Sequence, residues 1–519
     1  MGEMKKRLVQ QGLVAGAFAL VSGTIATAQD APLSSIDWLS DSLATPAAAV
    51  APRNEPGVAN SASVESITVV PLDAPSPDGI GLIPRRQAGL PGSLWAGSDL
   101  DQLRRLIATL PVDPLPAQQD LIRLILLTEL DPPMGAGPEG LLFQARVDAL
   151  LARGALDEAA EMLERTGSNS PAIFQRAFDV ALLQGHETAG CERLRETPGI
   201  SPNFTTRIFC LARTGDWHAA ALTLESARAL GHVSEAEDAL LAYFLDPELA
   251  DTGEKLTAPA HPSPLEFLMF QAIGEGMPTN PLPLAFANAD LSTTAGWKAR
   301  IGAAERLARV GSLSPERLFT IYSERRPAAS GGVWERVALI QSLDAALKAG
   351  DDKKVSTLLP QAWEAMAAER LEIPFATLFG TRLEEVQLTG QAGALAFRIG
   401  LLSDQYERLA LTHPAPPGAD GPFLAALAKG MPGEAAAPDA LARAIADGFN
   451  APALPESLSR PLADGRLGEA ILQAMAVMES GTHGDLEDVT VAIGFLREVR
   501  LEEAARKYGL QLMLLHRRG

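Results

Sequence analysis

The chain has 519 residues, with 44 Lys and Arg against 64 Asp and Glu and a formal net charge of −20. That excess of acid excludes a nucleic-acid binder, which needs clustered Lys and Arg, and offers no attraction to anionic lipid. Hydrophobic residues make up 47% and aromatic residues only 5%; with Ala and Leu abundant, such a composition suits closely packed helices rather than a sandwich rich in Tyr, Val and Thr.

In chain order, Lys5, Lys6 and Arg7 give a positive start, Gly12 to Ile25 is apolar and uncharged, and Ala26-Thr27-Ala28 offers a small-x-small cleavage site. Residues 1–28 are therefore expected to be a secretory signal peptide, with Gln29 the first mature residue and the periplasm the destination. The apolar stretch is shorter than the ~20 residues of a spanning helix. No Cys follows it, so no lipid anchor is expected, and the later apolar run Leu121 to Leu130 is interrupted by Arg123 and Glu129.

Residues 29–95 are dominated by Ala, Pro, Ser, Gly and Asp, and Pro75-Ser76-Pro77-Asp78-Gly79 can extend neither a helix nor a strand. A disordered tether is expected here, with apolar islands at Ile36 to Leu39 and Ile67 to Leu72 that could dock to a partner.

From Asp99 the pattern turns helical. Leu100, Leu103, Leu106, Ile107 and Leu110 recur at the spacing of one helix face. Pro111, Pro114 and Pro116 break the chain before a second predicted helix, Gln118 to Leu130. Short helix pairs follow, without an alternating strand pattern. The expected fold class is all-α, an irregular solenoid of antiparallel helix pairs. Pro-rich breaks at Asp246 to Pro264 and Thr412 to Pro422 divide it into blocks at 96–250, 265–411 and 423–519.

The two cysteines, Cys191 and Cys210, flank a turn marked by Pro198, Gly199 and Pro202. On an antiparallel helix pair they come level, and an exported chain can oxidise them. A disulfide is expected; two unpaired core thiols are the alternative.

Three segments share a pattern: Leu150 to Ala159, Leu182 to Ala189 and Leu211 to Ala220 each hold a helix end, a turn glycine (Gly154, Gly185, Gly215) and a new helix opened by a small residue. Weaker copies surround Gly311, Gly350 and Leu501. Gly215-Asp216-Trp217-His218-Ala219-Ala220 resembles the Gly-x-aromatic-x-x-Ala turn of the tetratricopeptide repeat, and Gly154 to Ala159 resembles it with Leu156 in the aromatic place. The resemblance covers about residues 140–230 and implies stacked helix pairs with a concave, partner-binding surface. The turn spacing is shorter than the family's ~34 residues, and Val147 and Ile208 replace its small first-helix residue. In its Ala-rich composition the chain is also similar to a group of bacterial envelope proteins labelled antifreeze-like, but its Thr residues lack the regular spacing of an ice-binding face.

Chemistry-bearing motifs are few. No Gly-x-Ser-x-Gly elbow, Ser-x-x-Lys pair or phosphate-binding Gly-Lys-Ser/Thr loop occurs, and the seven histidines are scattered. Neither a metal nor a cofactor is expected. Asp99-Leu100-Asp101 and Asp485 to Asp488 read as helix starts, not calcium loops. Glu479-Ser480 resembles the catalytic pair of superhelical lytic transglycosylases, but no Gly-Leu-Met-Gln segment follows it. Glu324 to Trp334 is the candidate binding loop: Arg325, Arg326, Ser330, Gly331, Gly332 and Trp334 combine positive charge, a helix start and a stacking ring that could hold a carboxylate or phosphate. The opposing reading is a connecting loop with solvated arginines and a packed Trp.

The expected function is a non-enzymatic periplasmic scaffold, monomeric or dimeric, that binds another envelope protein or an exported peptide. The alternative is a peptidoglycan-associated or glycan-acting accessory protein that uses the solenoid as a substrate guide.

Overall fold

The computed structural model describes residues 76–515 apart from 168, 169, 202, 247, 250–254 and 419. The expected signal peptide, the stretch 29–75 of the expected tether with both apolar islands, and part of the break at Asp246 to Pro264 lie outside the described residues. Among the described residues the chain is helical, and the one β feature is an isolated bridge between Ile83 and Thr128. No described helix is long and apolar enough to cross a membrane.

Residues 76–95, expected to belong to the tether, are instead folded against the helices, with Asp78, Gly81, Leu90, Leu94 and Trp95 buried and Pro84 to Gln87 exposed. Pro77–Gly79 forms a 3-10 turn, and the Asp78 carboxylate accepts the Phe143 N–H at 2.7 Å, at the start of helix α3 (Leu141–Ala152). Arg146, one turn further along α3, is fully buried and donates to the carbonyls of Asp78, Ile80, Leu126 and Thr128. Leu94 and Trp95 are fully buried. A Cβ on Gly468 would lie 2.6 Å from the Trp95 ring, so the indole needs that glycine. The Pro and Gly content that suggested disorder serves tight turns, and an arginine pairs the carbonyls that a helix or strand would otherwise pair.

The helical array starts with α1 (Leu100–Ala108) and α2 (Pro116–Leu127). Asp99 caps α1 by accepting from the Gln102 N–H at 2.9 Å, and Leu103 and Ile107 of the predicted apolar face are buried. After α3 come α4 (Leu156–Arg165), α5 (Pro171–Gln184), α6 (Glu187–Glu196), α7 (Phe204–Arg213), α8 (Trp217–Leu230), α9 (Glu235–Leu245) and α10 (Pro264–Ala272). Each of these helices packs on the next. Gly154, Gly185 and Gly215 turn the chain with φ of 70°, 72° and 91°, the left-handed conformation that ends a helix without a Cβ clash. Gly154 has a second reason to be glycine: a Cβ there would lie 2.6 Å from Leu307 Cδ2. At the copy near Leu501, Arg500 takes the left-handed position with φ 64°.

Helix α10 returns to pack on α5, so α5–α10 enclose a satellite core with Phe174, Phe178, Phe209 and Phe244 at its centre. The Cys191–Cys210 disulfide is formed inside it, joining α6 to α7, and both residues are buried. Replacing both cysteines by Ser is expected to destabilise this subdomain by about 3 kcal/mol, the loop-closure entropy of such a crosslink. Urea unfolding followed at the α6–α7 amides measures it; a midpoint unmoved by reductant in the unmutated protein would contradict it.

The chain continues through α11 (Trp297–Arg309), α12 (Pro315–Ser323), α13 (Val333–Ala349), α14 (Asp352–Ala367), α15 (Glu372–Glu384), α16 (Gly390–Gly400), α17 (Tyr406–Thr412) and α18 (Gly421–Ala428). It ends with α19 (Ala440–Gly448), α20 (Glu456–Ala463), α21 (Leu467–Thr482), α22 (Leu486–Glu498) and α23 (Glu502–Leu514). Helices from the first and last of the expected blocks meet. Helix α23 packs on α2 and α21 packs on α1. Gln511 Oε1 accepts the otherwise unpaired Ala117 N–H in the first turn of α2 at 2.7 Å, and Gln118 donates to the Met475 carbonyl at 2.8 Å. One hydrophobic core therefore runs from Leu90 to Leu515.

Candidate functional site

The predicted loop joins α12 to α13. Arg325, Arg326, Ser330, Gly331 and Gly332 are exposed. Gly331 and Gly332 have φ of 85° and 53°, so both sit in the left-handed region that leads into α13. Glu324, at the head of the loop, is held by a bidentate ion pair from Arg300 at 2.6 and 2.7 Å. Trp334 is half-buried, its ring 5.1 Å from that of Trp297, and Trp297 Nε1 donates to the Ile321 carbonyl. The indole thus packs on one neighbour and keeps part of its surface open. The structure sets Gly331 and Gly332 beside the helix start, with Arg325 and Arg326 exposed earlier in the loop. A neighbouring arginine that sequence reading passed over, Arg336, is buried against Glu305 at 2.7 and 2.8 Å, and Glu305 also accepts from the Tyr322 hydroxyl. This triad ties α11, α12 and α13 together.

Glu479 lies near the end of α21, partly buried, with one carboxylate oxygen lacking a hydrogen-bond partner. Burial pushes its carboxyl above the ordinary range, and His483, 3.7 Å away, opposes that shift. Asp485 accepts from the N–H groups of Glu487 and Asp488, the helix-start role read from the sequence. Among the described residues no group of three or more His, Cys, Asp or Glu side chains could hold a metal ion.

The feature that sequence reading missed is a cleft of about 540 Å³ between α2, α4, the α11–α12 turn and the start of α15. Helix α2 supplies Asp120 and Arg123, α4 supplies Asp157 and Glu158, and α12 supplies Arg317; Arg309, Arg370 and Asp404 complete the charged lining. Each arginine is held by a carboxylate: Arg123 by Glu158 at 2.6 Å, Arg317 by Asp157 at 3.1 Å, Arg309 by Glu369 at 3.3 Å and Arg370 by Asp113. Asp404 takes Lys507 of α23 at 3.3 Å. Two serines of the lining serve the backbone. Ser312 Oγ donates to the Arg153 carbonyl at 2.6 Å, and Ser314 Oγ caps α12 by accepting from the Arg317 N–H. Neither His nor Cys lines the cleft.

Asp120 differs from the other charged groups. It is open to solvent through the cleft, and among the described residues its carboxylate has neither a hydrogen bond nor an ion pair. Desolvation by the cleft walls raises its pKa, Lys507 and Arg123 pull it down, and Asp404 and Glu503 add to the rise. The lining comes from stretches far apart in the chain, so no local motif announces it.

No protein-family model matches this chain, and neither a curated protein nor a solved structure shows significant similarity to it.

Proposed function

We propose that this protein is a non-enzymatic periplasmic scaffold whose stacked helix pairs, akin to tetratricopeptide repeats, bind another envelope protein or an exported peptide. The charged cleft carries this reading. Its arginines are held in position by carboxylates and its serines are engaged with backbone groups. An array of charges held in place in this way suits recognition of a partner. The disulfide agrees with an oxidising compartment, and the positive start, apolar stretch and small-residue site of residues 1–28 supply the route there.

The test is crosslinking of tagged protein in intact cells, followed by purification and identification of what is bound. One or two dominant envelope proteins or exported peptides are the expected result. A second reading, a glycan-acting accessory protein, draws on the raised carboxyl of Glu479. Recovery of glycan fragments alone, with turnover of isolated peptidoglycan lost in Glu479→Gln, would replace the scaffold with that reading.

A further inference from the structure

We propose that Asp120 is the docking point for a protonated amine or guanidinium, and that the group it receives is a Lys or Arg side chain on an extended peptide segment of the partner. The inference rests on the scaffold reading and gives its recognition chemistry. The cleft volume of about 540 Å³ lies within the range of ~300–1,000 Å³ usual for ligand pockets, enough for one long side chain and the backbone on either side of it. The charges around it settle the sign of the ligand. Arg123, Arg309, Arg317 and Arg370 are each already paired with a carboxylate, and Lys507 is shared between Asp404 and Glu503. An incoming anion would have to displace one of those carboxylates. An incoming cation displaces nothing, because the Asp120 carboxylate has no partner to give up.

The neighbourhood also favours a ligand over a solvated surface carboxylate. Protein atoms around Asp120 keep part of its hydration away, so a cation that replaces the missing water gains more there than at an open surface acid. A side chain rather than a bare ion fits the lining: beside the charges it includes Pro116, Ile373 and Pro374, apolar surface on which the stem of a Lys or Arg can lie. The net charge of −20 draws cationic partners toward the protein from a distance. Free polyamines share the ammonium chemistry, and they are separated from peptides by experiment.

The probe is a fluorescein-labelled, acetylated and amidated octapeptide of Ala and Ser with one central Lys, titrated into the mature full-length protein at physiological ionic strength and read by anisotropy. A matched peptide with Glu in place of Lys and free spermidine form the other arms. The Lys peptide is expected to bind, the Glu peptide not to bind, and Asp120→Asn to weaken the Lys peptide at least about tenfold with an unchanged far-UV spectrum. Equal binding of the Lys peptide to both proteins, or to neither, would overturn the inference. Asp120-dependent binding of spermidine without the peptide would overturn the peptide assignment. Crosslinking in cells with Asp120→Asn separates this inference from the scaffold reading. If the variant captures the same partner at the same yield, the Asp120 inference fails and the scaffold stands; if neither protein captures one, the scaffold reading fails as well.

Discussion

Arg146→Met is expected to destabilise the N-terminal packing by about 3–5 kcal/mol, the usual cost of removing one partner from a buried, hydrogen-bonded charge. Arg146 is fully buried on α3 and is the common donor to four backbone carbonyls on two strands of chain, Asp78 and Ile80 on one and Leu126 and Thr128 on the other. Burial lowers its pKa to about 10, which still leaves it charged at neutral pH, and Asp78 opposes the lowering. A methionine fills similar volume but donates nothing. The Asp78 carboxylate would keep the Phe143 N–H but lose its countercharge, while its own carboxyl is already pushed up by burial.

The loss should be local before it is global. Leu82 and Ile83 both donate to the Leu127 carbonyl, at 2.7 and 3.0 Å, and Arg165 donates to the Gly81 carbonyl at 2.7 Å. With the central arginine gone, these and the Glu129 N–H on the Ile83 carbonyl, at 2.9 Å, become the polar ties that hold residues 81–83 to their neighbours. Hydrogen exchange at the Leu82 and Ile83 amides should accelerate strongly in the variant, while amides of α7, in the satellite core, keep their protection. A variant within about 1 kcal/mol of the parent, with unchanged exchange at those two amides, would show that Arg146 is dispensable.

The helical array was readable because its signals are local. The apolar spacing from Leu100 to Leu110, the acidic starts at Asp99 and Asp485 and the turn glycines at 154, 185 and 215 each act within a few residues, and each takes the form expected. The disulfide was readable for a related reason, since two cysteines on either side of one turn come level when the helices pack. The packed segment 76–95 was not, because its order depends on Arg146, 66 residues beyond Ile80, and one arginine leaves no periodic trace. The joining of the chain's two ends was equally hidden: Ala117 and Gln511 are 394 residues apart, and nothing near either specifies the other. The cleft combines both difficulties. Its charged residues are ordinary helix-surface types in the sequence, and only the packing of α2, α4, α12 and α15 leaves Asp120 without a partner among charges that all have one.

Asp179→Asn is expected to stabilise the protein, by an amount that grows with pH. Asp179 lies on α5, buried, with Gln175 Nε2 donating to one oxygen at 3.0 Å and the other oxygen without a partner. Its neighbour Arg176 cannot neutralise it, being held bidentate by Asp148 at 2.7 and 2.8 Å. Burial therefore pushes the carboxyl up to about 8, against an ordinary value of 3.8. The sign follows from where the proton sits. Below the ordinary value both folded and unfolded chains carry a neutral carboxyl, and the contribution to stability is whole. Between there and about 8 the folded chain must hold a proton that the unfolded chain releases, so stability falls by about 1.4 kcal/mol per pH unit, on the order of 4 kcal/mol or more in total, and levels off above. An asparagine keeps the shape and never ionises. Unfolding in urea at pH 5, 7 and 9, together with exchange at the α5 amides, should show a small gain for the variant at the acid end and a large one at the alkaline end; a gain that is the same at all three would mean Asp179 does not titrate through this range. The position makes the effect more than local. Ile173, Val180 and Leu183 of α5 face the main core, Phe174, Phe178 and Leu182 face the satellite core, and Asp179 with Gln175 lies at the seam between those faces. Ionisation there sets a charge against the helix that both cores share, so the two should loosen together as the pH rises.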